Sequence, residues 1–340
     1  MARSGLARVG LVLLIGALFS MTSVAAAGPS IVPTSLGLHT HCKAGSYSIG
    51  IPGYDPVNQL IYVPNLGTTT GSISVLKAPC TNVATIHLPY HASPYAVAFD
   101  PANNKMYVAD YSLNQIYVVS GTQVKHTIKL ANCLPGAGVP DLVWDPAANL
   151  MLASDAACDT VVAISDNSIV GAPIPVGDYP WGIAYDPYAN EILVGIVAGN
   201  NITGLDAGNP FVNAHLNITG FHAGFAPSEI AYDVVDHDDY VLGPLGLALV
   251  TGSGSILGTY YGLYAPSGLA WSPSKLLLYV TNSGGNDLLV FRGLKVTQEI
   301  TGVGCYPGGL VYDDANDKMY VDSFSASVRT CSGPGAVFEL

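Results

Sequence analysis

Charged residues are scarce in this 340-residue chain, at 11% of the sequence against about 25% in ordinary soluble domains. Twelve basic residues face 24 acidic ones, for a formal net charge of −12, and no segment concentrates Lys and Arg. A chain without a basic cluster cannot follow a phosphate backbone, which argues against nucleic-acid binding. A polar surface that does not depend on ion pairs also suits an acidic environment, and we hold this as a hypothesis.

The sequence also lacks the short motifs of common enzymes and cofactor sites. It contains no Gly-x-Ser-x-Gly elbow, no His-Glu-x-x-His and no Gly-rich phosphate loop. Its six cysteines include no close Cys-x-x-Cys pair, which argues against zinc, iron–sulfur and c-type haem sites. No cofactor is therefore expected.

A long hydrophobic run occurs only at the start of the chain. Arg3 and Arg8 precede the apolar residues 9–19, and three alanines follow at 25–27. The run is short for a helix that needs about 20 residues to span a membrane. We therefore predict that residues 1–27 are a cleaved signal peptide rather than an anchor. The mature chain, residues 28–340, would be exported and would contain no membrane span.

What the chain does contain is a repeat of 39 to 47 residues. Each copy has an anchor residue, usually an aspartate, preceded by an aromatic residue and followed in most copies by proline. The seven anchors are Asp55, Asp100, Asp145, Asp186, Asp233, Ser272 and Asp313. Seven residues after every anchor comes an apolar pair, most often Tyr-Val, as at Tyr62 and Tyr107. A proline stands six residues before five of the anchors.

Each repeat predicts four short strands separated by turns. Residues 94–99 are a compact apolar run, typical of a strand buried on both faces. The Asp-Pro-x-Asn sequence that follows favours a tight turn in which the aspartate accepts bonds from backbone amides, and a catalytic or metal-binding role for the anchors is disfavoured. Four antiparallel strands in about 40 residues form a propeller blade. We predict an all-β, seven-bladed β-propeller over residues 28–340.

The last repeat provides a check on ring closure. Residues 319–324 and 336–340 supply a second and a third strand before the chain ends. We expect residues 31–38 to supply the fourth, so that both termini share the last blade and the ring has no exposed edge.

The repeats resemble those of the YVTN family of β-propellers. Residues 279–282 read Tyr-Val-Thr-Asn, and close variants stand at 62–65 and 107–110. The box Pro-x-Gly-[Ile/Leu]-Ala-aromatic at 180–185 and 266–271 is also similar to that family. The resemblance implies the propeller fold over most of the chain. It implies little about activity, because such propellers include surface-layer and cell-surface proteins and lie near lactonase-type enzymes.

The repeat register predicts disulfide pairs. Cys133 and Cys158 fall in two loops that open on the same side of a blade, and Cys305 and Cys331 occupy equivalent places in the last blade. We expect these to form two disulfides and Cys42 to pair with Cys80, although six cysteines allow 15 arrangements.

Two N-glycosylation sequons, at Asn201 and Asn217, lie in the fourth repeat. Two histidines, His39 and His41, share one face of a possible strand, but no third metal ligand is evident and no metal is predicted. The acidic run at 236–239 is interpreted as a solvated turn, with a weak cation site as the alternative.

Aromatic residues cluster where the inner strands begin, at the predicted mouth of the central channel. They are Tyr47, Tyr95, Tyr179, Trp181, Tyr264 and Tyr306. The last five are candidate ligand contacts, because aromatic planes with a few polar groups suit a small molecule, a sugar or a peptide. The alternative is that they only fill gaps between blades.

Two functions follow from these patterns. The first is a secreted or cell-surface binding or structural module without catalysis, with protein or glycan partners. The second is a metal-dependent hydrolase or lyase, lactonase-like, that uses Asp141 and Glu229, the acidic residues of the inner strands.

Overall fold

The structure, a computed structural model, describes residues 34–35, 41–44, 50–67, 69–78, 81–131, 133–212, 216–326, 331 and 335–340. Within these ranges the regular structure is entirely β-strand, and no helix is long and apolar enough to cross a bilayer. The predicted signal peptide, His39, Tyr47 and Cys80 lie outside the described residues.

Two short strands, Thr34–Ser35 (β1) and His41–Lys43 (β2), precede the repeats. The strands of blades one to three are Gly53–Asp55 (β3), Leu60–Asn65 (β4), Thr70–Lys77 (β5), Thr81–Tyr90 (β6), Pro94–Asp100 (β7), Lys105–Asp110 (β8), Gln115–Ser120 (β9), Gln123–Lys129 (β10), Leu142–Asp145 (β11), Leu150–Asp155 (β12), Thr160–Ser165 (β13) and Ser168–Pro175 (β14). Those of blades four to seven are Pro180–Asp186 (β15), Glu191–Ile196 (β16), Asn201–Asp206 (β17), Leu216–Ile218 (β18), Glu229–Tyr232 (β19), Asp238–Gly243 (β20), Gly246–Thr251 (β21), Ile256–Tyr260 (β22), Pro266–Ser272 (β23), Leu277–Asn282 (β24), Asp287–Arg292 (β25), Lys295–Thr301 (β26), Cys305–Asp313 (β27), Lys318–Ser325 (β28) and Ala336–Glu339 (β29).

These strands form seven sheets arranged in a ring. Within each sheet the successive strands of one repeat pair antiparallel, from an inner to an outer strand. Each inner strand contacts the inner strand of the next blade, and β27 of the last blade contacts β3 of the first. The prediction of a seven-bladed β-propeller with four antiparallel strands per blade is confirmed.

The strand that closes the ring comes from the N-terminal side, as expected, but from a different place. Antiparallel pairing joins His41–Lys43 to Ala336–Glu339, with Cys42 opposite Val337. Thr34–Ser35 instead pairs parallel with Lys295–Thr301 and adds a fifth strand to blade six. The expectation that residues 31–38 close blade seven was therefore wrong in position. The closing strand must lead directly into the inner strand of blade one, which favours the segment nearer to β3.

The turn between the first and second strands follows one design in the six blades that have an aspartate anchor. In blade three, Asp145 Oδ1 accepts hydrogen bonds from the amides of Ala147 (2.9 Å) and Ala148 (3.0 Å). The same bonds recur at the other anchor aspartates, for example at Asp186, so their role as turn residues is confirmed. The residue four places after each anchor has a φ of 54–60°: Gln59, Asn104, Asn149, Asn190, His237, Leu276 and Asp317.

Leu276 does not suit this left-handed position. Outside glycine, asparagine and aspartate tolerate it best, and a leucine there costs about 1 kcal/mol. We expect Leu276→Asn to raise the free energy of unfolding by about 0.5–1 kcal/mol, measured by urea denaturation. The reverse change in blade three, Asn149→Leu, should lower it by a similar amount. Equal stability of all three proteins would contradict this account of the turn.

Most clusters of the hydrophobic core lie between two neighbouring blades. The tyrosine seven places after an anchor packs against the next blade, whereas the valine after it packs against the previous blade. Tyr107 accordingly packs with Leu142 and Met151 of blade three. Val108 packs with Tyr62 and Ile73 of blade one. This alternation explains the recurring Tyr-Val pair, since successive side chains of a strand point to opposite faces.

The tyrosine hydroxyl adds a polar link between blades. Tyr62 donates to the carbonyl of Gly121 (2.8 Å), and Tyr107 donates to that of Asp166 (2.6 Å). Both acceptors lie in the turn between the third and fourth strands of the following blade, which we call the outer turn. We call this link the tyrosine clasp. Blades three and four have leucine at the same position, Leu152 and Leu193, and so cannot form it.

Candidate functional site

The loops that lead into the inner strands and the turns between second and third strands lie on one face of the ring, here the loop face. Two disulfides staple it, Cys133–Cys158 and Cys305–Cys331, with Cα separations of 5.1 and 5.4 Å. Both predicted pairings are confirmed. Cys42 is also disulfide-bonded, while its predicted partner lies outside the described residues.

Four aromatic side chains from blades two and four interlock beside the first disulfide. Trp181 contacts Tyr95 edge-on (ring centroids 5.7 Å apart), Tyr111 (5.5 Å) and Tyr179 (5.8 Å). The hydroxyls of Tyr111 and Tyr179 are hydrogen-bonded. Tyr179 and Trp181 are buried, at 3% and 6% exposure. Three of the predicted ligand contacts therefore lie together in this aromatic cluster, with Tyr111 as a fourth member that the inner-strand pattern did not indicate.

A repeated hydrogen bond fixes a tyrosine at the start of the inner strand. Asp159 Oδ1, in the second turn of blade three, accepts the amide of Tyr179 (3.0 Å). Asn286 Oδ1 accepts the amide of Tyr306 in the same way (2.8 Å). Both tyrosines have left-handed backbones, with φ of 66° and 49°, and each precedes a proline. The backbone of each tyrosine is thus restrained by the bond to its amide and by the proline that follows it.

Asp141 and Glu229 approach each other around the inner strand of blade four. Asp141 Oδ2 accepts the amide of Ile183 (3.0 Å), and its Oδ1 accepts the amide of Leu142 (2.8 Å). The neighbouring Gly182 packs against blade five so closely that a Cβ there would lie 2.3 Å from the Ser228 carbonyl oxygen. This contact places Glu229 next to the strand whose Ile183 amide donates to Asp141. We call Asp141 and Glu229 the carboxyl pair.

Burial dominates the electrostatics of the carboxyl pair. Burial, followed by the charge of Asp141, raises the pKa of Glu229 well above its usual value. Burial also raises the pKa of Asp141, against two backbone hydrogen bonds that lower it. The pKa of Tyr95 is raised by burial and then by Glu229, Asp141 and Asp322. These four groups therefore form one electrostatic site, in which the raised pKa of Glu229 favours its protonated form.

Asp322 belongs to this site but was not among the predicted residues. It lies in the second strand of blade seven and is fully buried. In the part of the chain that the structure describes, no group of three His, Cys, Asp or Glu is placed to hold a metal ion. Both oxygens of Asp141 already accept backbone amides, which reduces its value as a ligand.

The remaining aromatic candidates, Tyr264 and Tyr306, are exposed on the loop face, at 62% and 51%. Both are tethered to one turn of blade six: the Tyr264 amide donates to Asn282 Oδ1 and the Tyr306 amide to Asn286 Oδ1. Tyr261, in the same loop as Tyr264, is 57% exposed. These three side chains form what we call the tyrosine patch.

The loops of the tyrosine patch are polar and uncharged, and the ring of His222 packs edge-on against Tyr261 (6.4 Å). The three loops, residues 261–267, 282–286 and 302–308, contain no Asp, Glu, Lys or Arg and are rich in Gly, Ser, Asn and Tyr. The ring of Tyr264 lies over Gly284, where a Cβ would come within 2.2 Å of it. Tyr306 packs edge-on against Phe324 at 6.2 Å. The patch is thus an aromatic surface on supported loops.

The two sequon asparagines lie side by side on neighbouring strands of blade four. Asn201 Nδ2 donates to Asn217 Oδ1 (2.7 Å), and Asn217 is opposite Thr203. Asn217 is exposed, and its own Nδ2, the atom that would carry a glycan, is not the donor in this bond. Glycosylation remains a prediction, and Asn217 is the more accessible of the two sites.

The fold is similar to several solved structures at low sequence identity. The WD40 β-propeller domain of Doa1 matches with a TM-score of 0.64 and 13% identity, over 89% of this chain and 96% of that one. A Lactobacillus plantarum protein matches with 0.64 and 16%, over 76% and 86%. A putative 6-phosphogluconolactonase from Bacteroides uniformis matches with 0.62 and 14%, over 74% and 84%. No protein-family model and no curated protein matches the sequence. At these identities the likeness shows the fold alone, and membership of the YVTN family remains a prediction.

Proposed function

We propose that this protein is a secreted or cell-surface-associated propeller that acts as a non-enzymatic binding module through the tyrosine patch. The observation that carries the proposal is the exposure of Tyr264 and Tyr306 on loops whose backbones are fixed by Asn282 and Asn286. Exposed apolar side chains that are grouped on one surface mark binding sites, whereas single scattered ones do not. Their rotameric freedom is small, so little entropy is lost when a ligand covers them.

The composition of the patch favours a glycan or an uncharged protein surface as the ligand. Tyr, Ser, Gly and Asn are the residues that antibody loops use, since tyrosine supplies rigid contact area and the others supply adaptable hydrogen bonds. Ser267 and Ser283 already form a hydroxyl network at the carbonyl of Pro307. With no charged residue in the three loops, a glycan is the preferred partner, recognised by stacking on the tyrosines and by hydroxyl and amide contacts.

We expect Tyr264→Ala and Tyr306→Ala each to weaken glycan binding by about tenfold or more, the usual effect of removing an aromatic anchor. The purified protein would be screened on an array of envelope and host polysaccharides, and the affinity for each hit would be measured by titration calorimetry.

Tyr188→Ala is the matched control. Tyr188 is 67% exposed but lies in a turn on the opposite face, stacked on His237. Its replacement should leave binding unchanged. Binding that survives both patch substitutions, or that is lost with Tyr188→Ala, would contradict the assignment. Capture of envelope proteins instead of glycans, with the same dependence on Tyr264, would assign the patch to a protein partner.

The carboxyl pair favours a second candidate, a hydrolase or lyase of the lactonase type. Its support is the convergence of Asp141, Glu229 and Tyr95 at raised pKa values, a pattern typical of acid–base sites. Glu229→Gln separates the two candidates. It should abolish turnover of lactone substrates if the pair is catalytic and should leave glycan binding intact.

Export is part of the proposal. Residues 1–27 would be the cleaved signal and residues 28–340 the mature chain, and the two described disulfides are consistent with an extracellular protein. N-terminal sequencing of protein recovered from outside the cell tests the cleavage, and a chain that still begins at Met1 would contradict it.

A further inference from the structure

The interpretation of residues 236–239 as a solvated turn is wrong for Asp239. Asp236 is exposed, but Asp239 is only 2% exposed and lies in the second strand of blade five, six places after the anchor. In the six other blades the same position holds a buried apolar residue: Ile61, Met106, Met151, Ile192, Leu278 and Met319. An ionisable side chain therefore occupies a core position that the repeat reserves for Ile, Leu or Met.

This position faces the previous blade. Val241, two places further along the strand, packs into the cluster formed with Leu193 and Ile202 of blade four, and side chains two apart share a face. Asp239 is accordingly within electrostatic reach of Asp186 and Glu191 of blade four. Asp239 Oδ1 and Asp186 Oδ2 are both buried and accept no hydrogen bond. Two buried carboxyl oxygens without a donor are costly unless one group carries a proton.

On the side of the anchor turns, the junction between blades four and five also lacks two polar links that other junctions have, although on the loop face Asn200 Oδ1 accepts the amide of Ala226 (2.8 Å). Leu193 replaces the tyrosine that forms the clasp elsewhere. At the preceding junction, Asp145 Oδ2 accepts the amide of Gly208 in the outer turn of the next blade (3.2 Å). The matching glycine, Gly252, lies near Asp186 Oδ2 but does not donate to it, since that oxygen has no partner.

The groups that face Asp239 are mostly acidic. Its pKa is raised to about 8, first by burial and then by the charges of Asp186, Asp238 and Glu191. The other titratable groups around the junction are Tyr188 of blade four and Tyr232, Asp233, Asp236 and His237 of blade five. The one basic group among them, His237, is exposed and stacks on Tyr188.

We propose that Asp239 holds a proton in the closed ring and that opening of the blade four–five junction releases it. The protonated carboxyl supplies an O–H donor at a place where Asp186 Oδ2 accepts no other hydrogen bond. When the junction opens, Asp239 meets water and ionises at its ordinary acidity. Opening is thus coupled to one proton, which makes this junction a pH-sensitive seam in the ring.

The direction of the pH dependence of opening follows from the linkage between proton binding and closure. The pKa of Asp239 is higher in the closed state than in the open state, so closure is favoured in acid and this contribution is lost as the pH rises from about 4 to about 8. Within that window the opening constant of the seam should rise by up to tenfold per pH unit. Above about pH 8 the dependence should level off, because Asp239 is then ionised in both states.

The opening constant of the seam can be measured by native-state hydrogen exchange of the amides in β16 and β20, corrected for intrinsic rates. The measurement uses the full-length mature chain between pH 5 and 9. Asp239→Asn resembles the protonated acid, and Asp239→Leu restores the residue type of the other blades. Both should exchange more slowly at these amides and lose the pH dependence. Asp236→Asn, which removes an exposed charge of the same turn, should keep it.

Three results would overturn the proposal. One is a wild-type seam whose corrected exchange does not change with pH, and another is an unchanged slope in both Asp239 variants. The third is a seam that calcium chloride, added at constant pH, protects in the wild type but not in Asp239→Leu. That outcome would assign the carboxylates to a cation instead of a proton.

Discussion

The free energy of unfolding is expected to fall by on the order of 5 kcal/mol between pH 5 and pH 9. Burial raises the pKa of Asp155 to about 6 and that of Asp239 to about 8, and burial also raises the pKa values of Asp141 and Glu229. Each group binds its proton more tightly in the native chain than in the unfolded one. The stabilisation is therefore fully present below about pH 4 and is lost as the pH rises through each native pKa.

Urea denaturation at one-unit pH intervals would measure this slope. Stability that increases towards acid agrees with the hypothesis that a chain with few charged residues suits an acidic environment. Stability that collapses below pH 4 would contradict both the hypothesis and the sign of these shifts. The variant Asp239→Asn should remove one part of the slope and leave the part contributed by Asp141, Glu229 and Asp155.

Removal of residues 28–44 from the mature chain is expected to lower the melting temperature by roughly 10 °C. The deletion removes the strand that pairs with Ala336–Glu339 and the disulfide-bonded Cys42. Loss of a native disulfide alone costs about 2–5 kcal/mol, and an unpaired β29 would also expose a sheet edge. Each kilocalorie corresponds to about 2–4 °C in a chain of some 200 residues and to less in a longer one.

Two further variants locate the effect. A deletion of residues 28–33 removes neither β1 nor β2 and should change the melting temperature little. Cys42→Ser keeps the strand and should produce only part of the loss. If the chain without residues 28–44 melts like the intact protein, the closing role of His41–Lys43 is contradicted.

Much of the fold could be predicted because the recurring residues of the repeat each have a physical role that requires them. The pair seven and eight places after each anchor recurs since one side chain packs forward and the next packs back, so the count of blades survives where Leu152 and Leu193 replace tyrosine. The closing strand was misplaced because residues 31–43 are not part of the repeat. No anchor fixes their register, and two short strands there serve different blades.

The site was predicted only in part. Asp141 and Glu229 were identified as inner-strand carboxylates, but their blades are not adjacent, and only the ring geometry around Gly182 shows that they form a pair. Asp322 comes from a second strand and carries no signal in the inner-strand pattern. The burial of Asp239 was detectable in the sequence, because the equivalent position of the six other repeats holds an apolar residue. Its place in an acidic run concealed the burial that this comparison predicts.

The uniform first turn has a consequence for how the protein can vary. In all seven blades the distance from the anchor to the apolar pair is fixed, and the left-handed residue stands at the same place. The difference between repeats of 39 and 47 residues must therefore be taken up by the other connections. Foreign loops grafted between an outer strand and the following inner strand should be accepted, whereas a single residue added to an anchor turn should disrupt its blade. The two faces of the ring thus differ in how readily they can be engineered.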